Sequence, residues 1–416
     1  MASTIGVAAI SNSAVAFIYQ VALARNLTAD EFGIFSSSLA LVATMATLAG
    51  FGLNHFWIKS FAESSEEAKK LLFGGYLIVC GASTICIIGM AAFSSEAAYL
   101  AHNRSVAILL SFSVASQCFA ELLIARYQVE KREGLVALSI MLQNTIKIIF
   151  LSLLLIIEHN PTIIQISIAH ALSSLLIMII SARGLRSFYG PGRWCEIPRG
   201  IGRQLRALKL ALKGAAPFGA AALFQILYYQ SDLVMLPMLS TAREAGTYGA
   251  AFVLISATYV VPNAIIQRFL ITRVHHWALR ERVTLKQFWK LGTACFGIAG
   301  AFFATLLISL SSPLIEIAFG VEYLASTRTL EVLAISLPII FASYVSGAII
   351  TTRNSMHKKT KILAFVSFAN VAANMVVIPQ FGAVGAAWTT VGSSLLILTL
   401  YGFTASKILE QENSMT

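Results

Sequence analysis

Charge is scarce in this sequence. Asp, Glu, Lys and Arg make up 12% of its 416 residues, against about a quarter in soluble domains, and only two residues are Asp, Asp30 and Asp232. A soluble enzyme, a disordered chain and a nucleic-acid binder each need a charged, water-facing surface, so all three are excluded. Two Asp in different halves of the chain do not make the carboxylate cluster with which a metal-dependent glycosyltransferase holds its divalent ion. The loop G-x-x-x-x-G-K-[ST], which cradles phosphate in ATP-driven machines, does not occur. His275 and His276 are adjacent and so point different ways on a helix, which removes paired-His zinc chemistry. Cysteine is sparse too: Cys80, Cys86, Cys118, Cys195 and Cys295 form no C-x-x-C pair and are read as reduced apolar packers. The chain is therefore read as a non-enzyme with no catalytic residues, no metal and no cofactor.

What the sequence has in abundance is apolar length. Apolar types make up 57% of it, and the mean hydropathy is +0.77. Runs long enough to cross about 30 Å of hydrocarbon lie near 4–24, 34–57, 71–93, 106–126, 135–157 and 163–182, and again near 214–238, 247–267, 291–311, 329–351, 362–379 and 383–405. The first run has no basic segment ahead of it and is a full span, so it is read as a retained helix, not a cleaved signal. The expectation is an all-α integral membrane protein of twelve transmembrane helices, in two pseudo-symmetric six-helix lobes around a central cavity. The lobes are residues 1–182 and 214–416. Between them, 183–213 forms a basic cytoplasmic linker in which Leu205, Leu208 and Leu212 recur among Arg203, Arg206, Lys209 and Lys213, the pattern of an amphipathic helix on an anionic leaflet or of a linker held inside by its charge.

The net charge of +11 is distributed unevenly. With the N-terminus inside, 25 of the 30 Lys and Arg fall in cytoplasmic segments and four, Arg25, Arg104, Arg243 and Arg328, fall outside. Positive loops resist translocation, so both termini are expected in the cytoplasm. The halves also share a motif: Thr28-Ala29-Asp30-Glu31-Phe32-Gly33-Ile34-Phe35 and Thr241-Ala242-Arg243-Glu244-Ala245-Gly246-Thr247-Tyr248 match as T-A-x-E-x-G-x-aromatic, 213 residues apart, each after the first span of its half. Six spans per half insert both halves in the same direction, as in transporters built from parallel repeats.

Ionisable groups at membrane depth are costly enough to count as functional candidates. Lys147 stands about 18 Å into the fifth span by helical rise, on a stripe with Ser139 and Gln143 and beside Asn144. It is either a contact for an anionic substrate or the partner of Glu121 in the preceding span. Asp232, on a face with Gln225 and Tyr228 or Tyr229, is a proton or cation site, an acceptor for sugar hydroxyls, or an interhelical contact. Glu121 is the second ion-coupling candidate. Arg25 closes the first span after Asn12, Tyr19 and Gln20, and Arg268 closes the eighth; each is a phosphate contact or a headgroup anchor. Asn370 and Asn374 read as interhelical glue, and Trp57, Trp277, Trp289 and Tyr401 as aromatics near the membrane interface.

The stretch Leu23 to Phe35 resembles the opening signature of polysaccharide transporters, the O-antigen and exopolysaccharide flippases. Three later stretches fit the same family in order: Ser231-Asp232-Leu233 with Ala245 to Ala251; Ala318-Phe319-Gly320-Val321-Glu322-Tyr323; and Asn370 to Asn374 with Ile378 to Ala387. The resemblance spans almost the whole chain. It implies a member of the multidrug, oligosaccharidyl-lipid and polysaccharide exporter superfamily, with a V-shaped cavity opening alternately to either side. It also implies a substrate, an undecaprenyl-diphosphate-linked oligosaccharide flipped across the bacterial inner membrane. Related peptidoglycan-precursor flippases use cavity arginines for the diphosphate, which Arg25 and Arg268 match. Lys147, Asn12, Gln143 and Tyr228 then complete the expected headgroup and sugar site. A polysaccharide polymerase and a chain-length regulator are candidate partners. A cation-coupled multidrug antiporter of the same superfamily is the alternative.

The topology is checked by single cysteines in a cysteine-free background: one at His159 is expected to react with an impermeant maleimide in intact bacterial cells, and one at Lys131 only after permeabilisation. The opposite labelling pattern overturns the orientation.

Overall fold

The computed structural model describes residues 2–96, 104–186, 201–352 and 356–411, and among these every regular element is helical. In chain order they are α1 (Ala2–Arg25), α2 (Ala29–Gly50), α3 (Leu53–Glu63), α4 (Ser65–Glu96), α5 (Arg104–Val129), α6 (Glu133–Ile157), α7 (Ile163–Arg186), α8 (Ile201–Leu239), α9 (Ala242–Ala264), a π-helical stretch (Ile265–Leu270), α10 (Ile271–Arg280), α11 (Arg282–Ser309), α12 (Ser311–Phe319), a 3-10 turn (Val321–Tyr323), α13 (Ser326–Ile350) and α14 (Met356–Gln411). Eleven stretches are long and apolar enough to cross a membrane. The last of them, Met356–Glu410, runs for 55 residues, about 80 Å of helix, more than twice the hydrocarbon thickness. Gly382 breaks it at φ 55°, ψ −136°. This stretch therefore holds two spans, and the twelve expected from the apolar runs are all present. The break releases the amide of Ala383, which donates to Glu244 Oε2 at 2.6 Å. A freed N–H buried within the protein needs a partner, and here a carboxylate starts the final helix.

Local chemistry starts the other helices as well. At α2 the Thr28 hydroxyl accepts from Glu31 N (3.3 Å) while Glu31 Oε2 accepts from Thr28 N (3.0 Å), a reciprocal capping box. Thr162 and Gln165 repeat it at α7, at 3.4 and 2.8 Å. At α9 Thr241 accepts from Glu244 N at 3.2 Å, but the Glu244 carboxylate is used on Ala383 instead. The repeated motif thus keeps its cap and diverges in its acid.

By compactness the chain forms two units, residues 1–19 with 34–230, and residues 20–33 with 231–416. α8, whose residues fall partly in the first unit and partly in the second, is one continuous helix of 39 residues, so the basic segment 201–213 runs directly into the seventh span; residues 187–200 of the linker lie outside the described residues. Ala207, Ala211 and Ala215 of α8 are buried, while Leu205 and Leu212 are exposed. The second span is interrupted: Phe51 and Gly52, both at positive φ, separate α2 from α3. At the equivalent repeat position, 213 residues on, Ile265 opens the π-helical stretch just after Pro262. Trp57 and Tyr401 are buried within the protein, at 2% and 5% exposure. Trp57 fits over Gly75 of α4, where the missing side chain leaves room for its indole.

In the second unit, the corner between α1 and α2 is docked by several contacts. Arg25 donates from Nε to Ala318 O at 2.8 Å and from Nη2 to Ile317 O, closing the C-terminus of α12. Glu322 Oε1 accepts from Ala29 N at 2.9 Å, and Tyr323 donates to Leu27 O at 3.0 Å. The two copies of the sequence motif then meet face to face. A Cβ on Gly33 would lie 1.8 Å from Ala242 O, and one on Gly246 would lie 1.9 Å from Ala29 O. The reciprocal contact joins equivalent positions of the repeat, and only glycine permits such backbone proximity.

Gly33→Ala and Gly246→Ala are each expected to destabilise the purified protein by about 1–3 kcal/mol, the usual cost of overpacking. Gly402→Ala, where nothing lies within 4 Å, should be neutral or slightly stabilising. Thermal unfolding in detergent distinguishes them, and equal behaviour of the three variants would contradict the crossing.

Candidate functional site

Two polar clusters lie at membrane depth, one in each unit. The cluster of the second unit is centred on Asp232, near the end of α8 and 2% exposed. Its Oδ2 accepts from Tyr248 on α9 and from Thr390 on α14, both at 2.6 Å, and its Oδ1 accepts from Asn374 Nδ2 at 2.5 Å. The pattern continues outward. Asn374 Nδ2 also donates to Asn370 Oδ1 (3.1 Å), Ser231 donates to the same oxygen (3.0 Å), Asn370 Nδ2 donates to Ser393 (3.1 Å), and Thr389 donates to Asn374 Oδ1. Asn370 and Asn374 sit one helical turn apart and therefore on one face, which α14 turns toward α8. All eight residues are buried. A negative charge excluded from water is tolerated where charge-assisted donors surround it, and three donors do so here. No group of three or more His, Cys, Asp or Glu residues that could hold a metal occurs among the described residues.

The cluster of the first unit joins α1, α6 and α7. Asn144 Nδ2 donates to Asn12 Oδ1 at 3.1 Å. One turn along α6 stands Lys147, half-buried and with no ion pair among the described residues. Tyr19 meets His170 at 2.6 Å between its hydroxyl and Nδ1, and the Phe35 ring edge closes on the imidazole with centroids 5.7 Å apart. A cation in an apolar bundle without a countercharge costs several kcal/mol, so Lys147 makes this cluster receptive to an anion.

The remaining sequence candidates are dispersed. Glu121 accepts from Asn54 Nδ2 at 3.1 Å, just after the break in the second span, and the structure does not pair it with Lys147. Gln143 is half-buried beside Asn144, whereas Ser139, the third member of its stripe, lines a small apolar cavity with Leu142, Ile146 and Ile177. Tyr228 is buried and packs its ring edge-on against Tyr229, centroids 5.0 Å apart. Arg25 is exposed and donates to the two α12 carbonyls. The Arg268 side chain lies outside the described residues; its backbone belongs to the π-helical stretch, an irregularity frequent at functional sites. Several participants escaped the sequence reading, among them Thr389, Thr390 and Ser393. His170 has no charged neighbour within its own helix turn to mark it, and Tyr248 was noted only as the aromatic of the repeat.

Residues 2–271, about two thirds of the chain, match the family model described as polysaccharide biosynthesis protein. The chain belongs to this family. No curated protein matches the sequence significantly. Among solved structures, the lipid II flippase MurJ in an inward closed conformation is 14% identical, with 97% of this chain and 87% of that one covered and a TM-score of 0.73. An inward-facing MATE-family multidrug resistance transporter of the MOP superfamily is 11% identical, with 99% of both chains covered and a TM-score of 0.75. At these identities the likeness establishes the fold: this polysaccharide biosynthesis protein has the architecture of the flippases and MATE transporters, and its neighbours are transporters, not enzymes.

Asp232→Asn places an amide N–H against donors in this family member, so a loss of about 1–3 kcal/mol is expected from the unmatched groups, whereas Gln143→Leu should leave stability within about 0.5 kcal/mol. Thermal unfolding of the two purified variants provides the comparison, and the opposite order would argue against the Asp232 network as described.

Proposed function

We propose that this protein is a flippase that carries an undecaprenyl-diphosphate-linked oligosaccharide, an O-antigen or exopolysaccharide repeat unit, across the bacterial inner membrane by alternating access. The observation that carries the reading is Lys147, a cation at membrane depth without an ion pair among the described residues, beside the amides of Asn144 and Asn12. A diphosphate and its sugars do not cross hydrocarbon unaided, because each polar group left without a partner costs several kcal/mol. An ammonium for the phosphates and carboxamides for hydroxyls replace that hydration. Gln143 and Tyr228 are the candidate sugar contacts of the first unit in this reading, and Arg25 and Arg268 are the candidate phosphate contacts of the second. Asp232 and its oxygen-rich surroundings form the coupling site for a cation or proton. Glu121 is the second coupling candidate. Both termini lie in the cytoplasm, with a polymerase and a chain-length regulator as working partners.

The antiporter alternative rests on the Asp232 network, since an acidic group recognises cationic drugs. Asp232, however, is 2% exposed and already accepts three hydrogen bonds, which suits a small ion better than an organic cation.

The test is leaflet exposure of a labelled undecaprenyl-diphosphate oligosaccharide in proteoliposomes, read with an impermeant glycan-modifying probe. Exposure should depend on the protein, fall about tenfold or more in Lys147→Ala, as expected for losing a hydrogen bond to a charged group, and recover in part in Lys147→Arg. Wild-type rates in Lys147→Ala would remove that residue from the site. Absence of exposure in vesicles that expel cationic dyes under a gradient would favour the antiporter.

A further inference from the structure

α5 is enclosed along most of its length, and the strip left open on it is polar. Gln117, Glu121 and Gln128 recur at i, i+4 and i+11 and so share one face; the first is half-buried and the other two are exposed. Gln117 and Glu121 stand well inside the fourth span. A strip turned to lipid has another composition: on the neighbouring α6 the open positions include Leu138, Ile149, Leu153 and Ile156. A carboxylate turned to hydrocarbon is costly, and ionisable groups within spans face the bundle interior or a water-filled cavity. The open strip of α5 therefore faces water.

A second element meets this strip. Phe51 and Gly52, at φ 46° and 69°, end α2 and restart the span as α3. Gly219 of α8 locks the break: a Cβ on Gly52 would lie 2.4 Å from Gly219 N, and one on Gly219 would lie 2.8 Å from Phe51 O. The first turn of α3 then brings Asn54 to Glu121, whose Oε2 accepts from Asn54 Nδ2 at 3.1 Å. Asn54 Oδ1 accepts from the amide of His55 at 2.8 Å. The exposed His55 ring lies against Phe218 of α8, with centroids 6.4 Å and planes 30° apart. Glu121 Oε1, the ring nitrogens of His55 and the Gln117 carboxamide stay open, without a hydrogen-bond partner among the described residues. Lys59, one turn beyond His55, pairs with Glu63 at 3.6 Å, and Glu121 has no ion pair among the described residues.

A solvated carboxylate with one free oxygen, beside amides and an imidazole, offers the acceptors and donors that ring hydroxyls take. Counted by helical rise from the corner between α5 and α6, Glu121 lies about 12 Å in and Lys147 about 21 Å. A headgroup whose phosphates reach Lys147 thus carries its sugars, nearer the corner, at the level of Glu121. We propose that Gln117, Glu121, Asn54 and His55 form a glycan subsite, and that Glu121 restricts the ring met there to neutral or amino sugars by repelling one that bears a carboxylate. The inference rests on the flippase reading, and it gives Glu121 to the glycan and leaves Asp232 as the coupling candidate. Hydroxyl, N-acetyl and ammonium groups find partners in the subsite, whereas a uronate sets a second negative charge against one that is uncompensated.

The experiment compares two probes that differ in one group, farnesyl-diphospho-N-acetylglucosamine extended by glucose or by glucuronate. Each is titrated calorimetrically into the full-length protein in lipid nanodiscs at about pH 8, above the ordinary carboxylate range. Wild type is expected to bind the glucose probe about tenfold more tightly than the glucuronate probe. Glu121→Gln keeps an acceptor for Asn54 and removes the charge, so the ratio should approach unity, chiefly through tighter binding of the glucuronate probe. Misfolding does not produce such a gain. Equal binding of the two probes by wild type, a preference for glucuronate, or a preference for glucose that persists undiminished in Glu121→Gln overturns the subsite and leaves the flippase reading standing. Failure of wild type to bind either probe overturns the flippase reading, and the subsite with it.

Discussion

Hydrocarbon offers no hydrogen-bond partner, and most of what is distinctive in this protein follows from that constraint. Each polar atom within a span either finds a partner in the chain or remains costly. Asp232 shows the first outcome: three donors from α9 and α14 converge on its two oxygens, and amides and hydroxyls around them complete a closed network. Lys147 and His170 show the second, one with its charge uncompensated and the other with a buried nitrogen unpaired. The contrast separates a group that the fold has satisfied from groups that await something the fold does not contain.

Burial within the protein sets a like condition on where helices stop. Gly382 interrupts α14 and frees the amide of Ala383, and the interruption is affordable because Glu244 arrives from α9 to accept it. Its repeat counterpart, Glu31, bonds back to its own Thr28. One motif has thus been kept as a helix start in both halves while its acid has acquired a tertiary task in the second. The helix breaks show the same inheritance, a pair of positive-φ residues at 51–52 and a π-helical stretch from 265, at equivalent repeat positions. Transporters place substrate and ion sites at discontinuous helices; Asn54 and Glu121 adjoin the first break, and the Arg268 backbone lies in the second.

The four stretches that carry the family resemblance are far apart in sequence, yet they meet in the second unit. Leu27 and Ala29 of the first stretch bond to Tyr323 and Glu322 of the third. Ala29 of the first approaches Gly246 of the second. Asp232 of the second bonds to Asn374 of the fourth. The residues of these stretches are here a set of mutual contacts, so that altering one stretch removes a partner from another.

The number of spans, the bias of positive charge and the conspicuous Lys147 were all legible in the chain alone. Insertion into lipid depends on the summed hydrophobicity of about 20 consecutive residues, and a lone charge in such a run stands out by composition. Partnership is different in kind. Tyr19 and His170 lie 151 residues apart, Asp232 and Thr390 158 apart, and Arg25 and Ala318 293 apart, and no period or spacing in one sequence encodes such pairs. His170 was invisible for that reason. For the same reason Glu121 and Lys147, which lie in consecutive antiparallel spans, were eligible partners on paper, whereas in the fold Glu121 turns to Asn54. The sequence determined which residues enter the membrane, because transfer energy is a property of each segment. Tertiary structure alone decided which of their polar atoms are satisfied and which remain available, because that is a property of packing between segments.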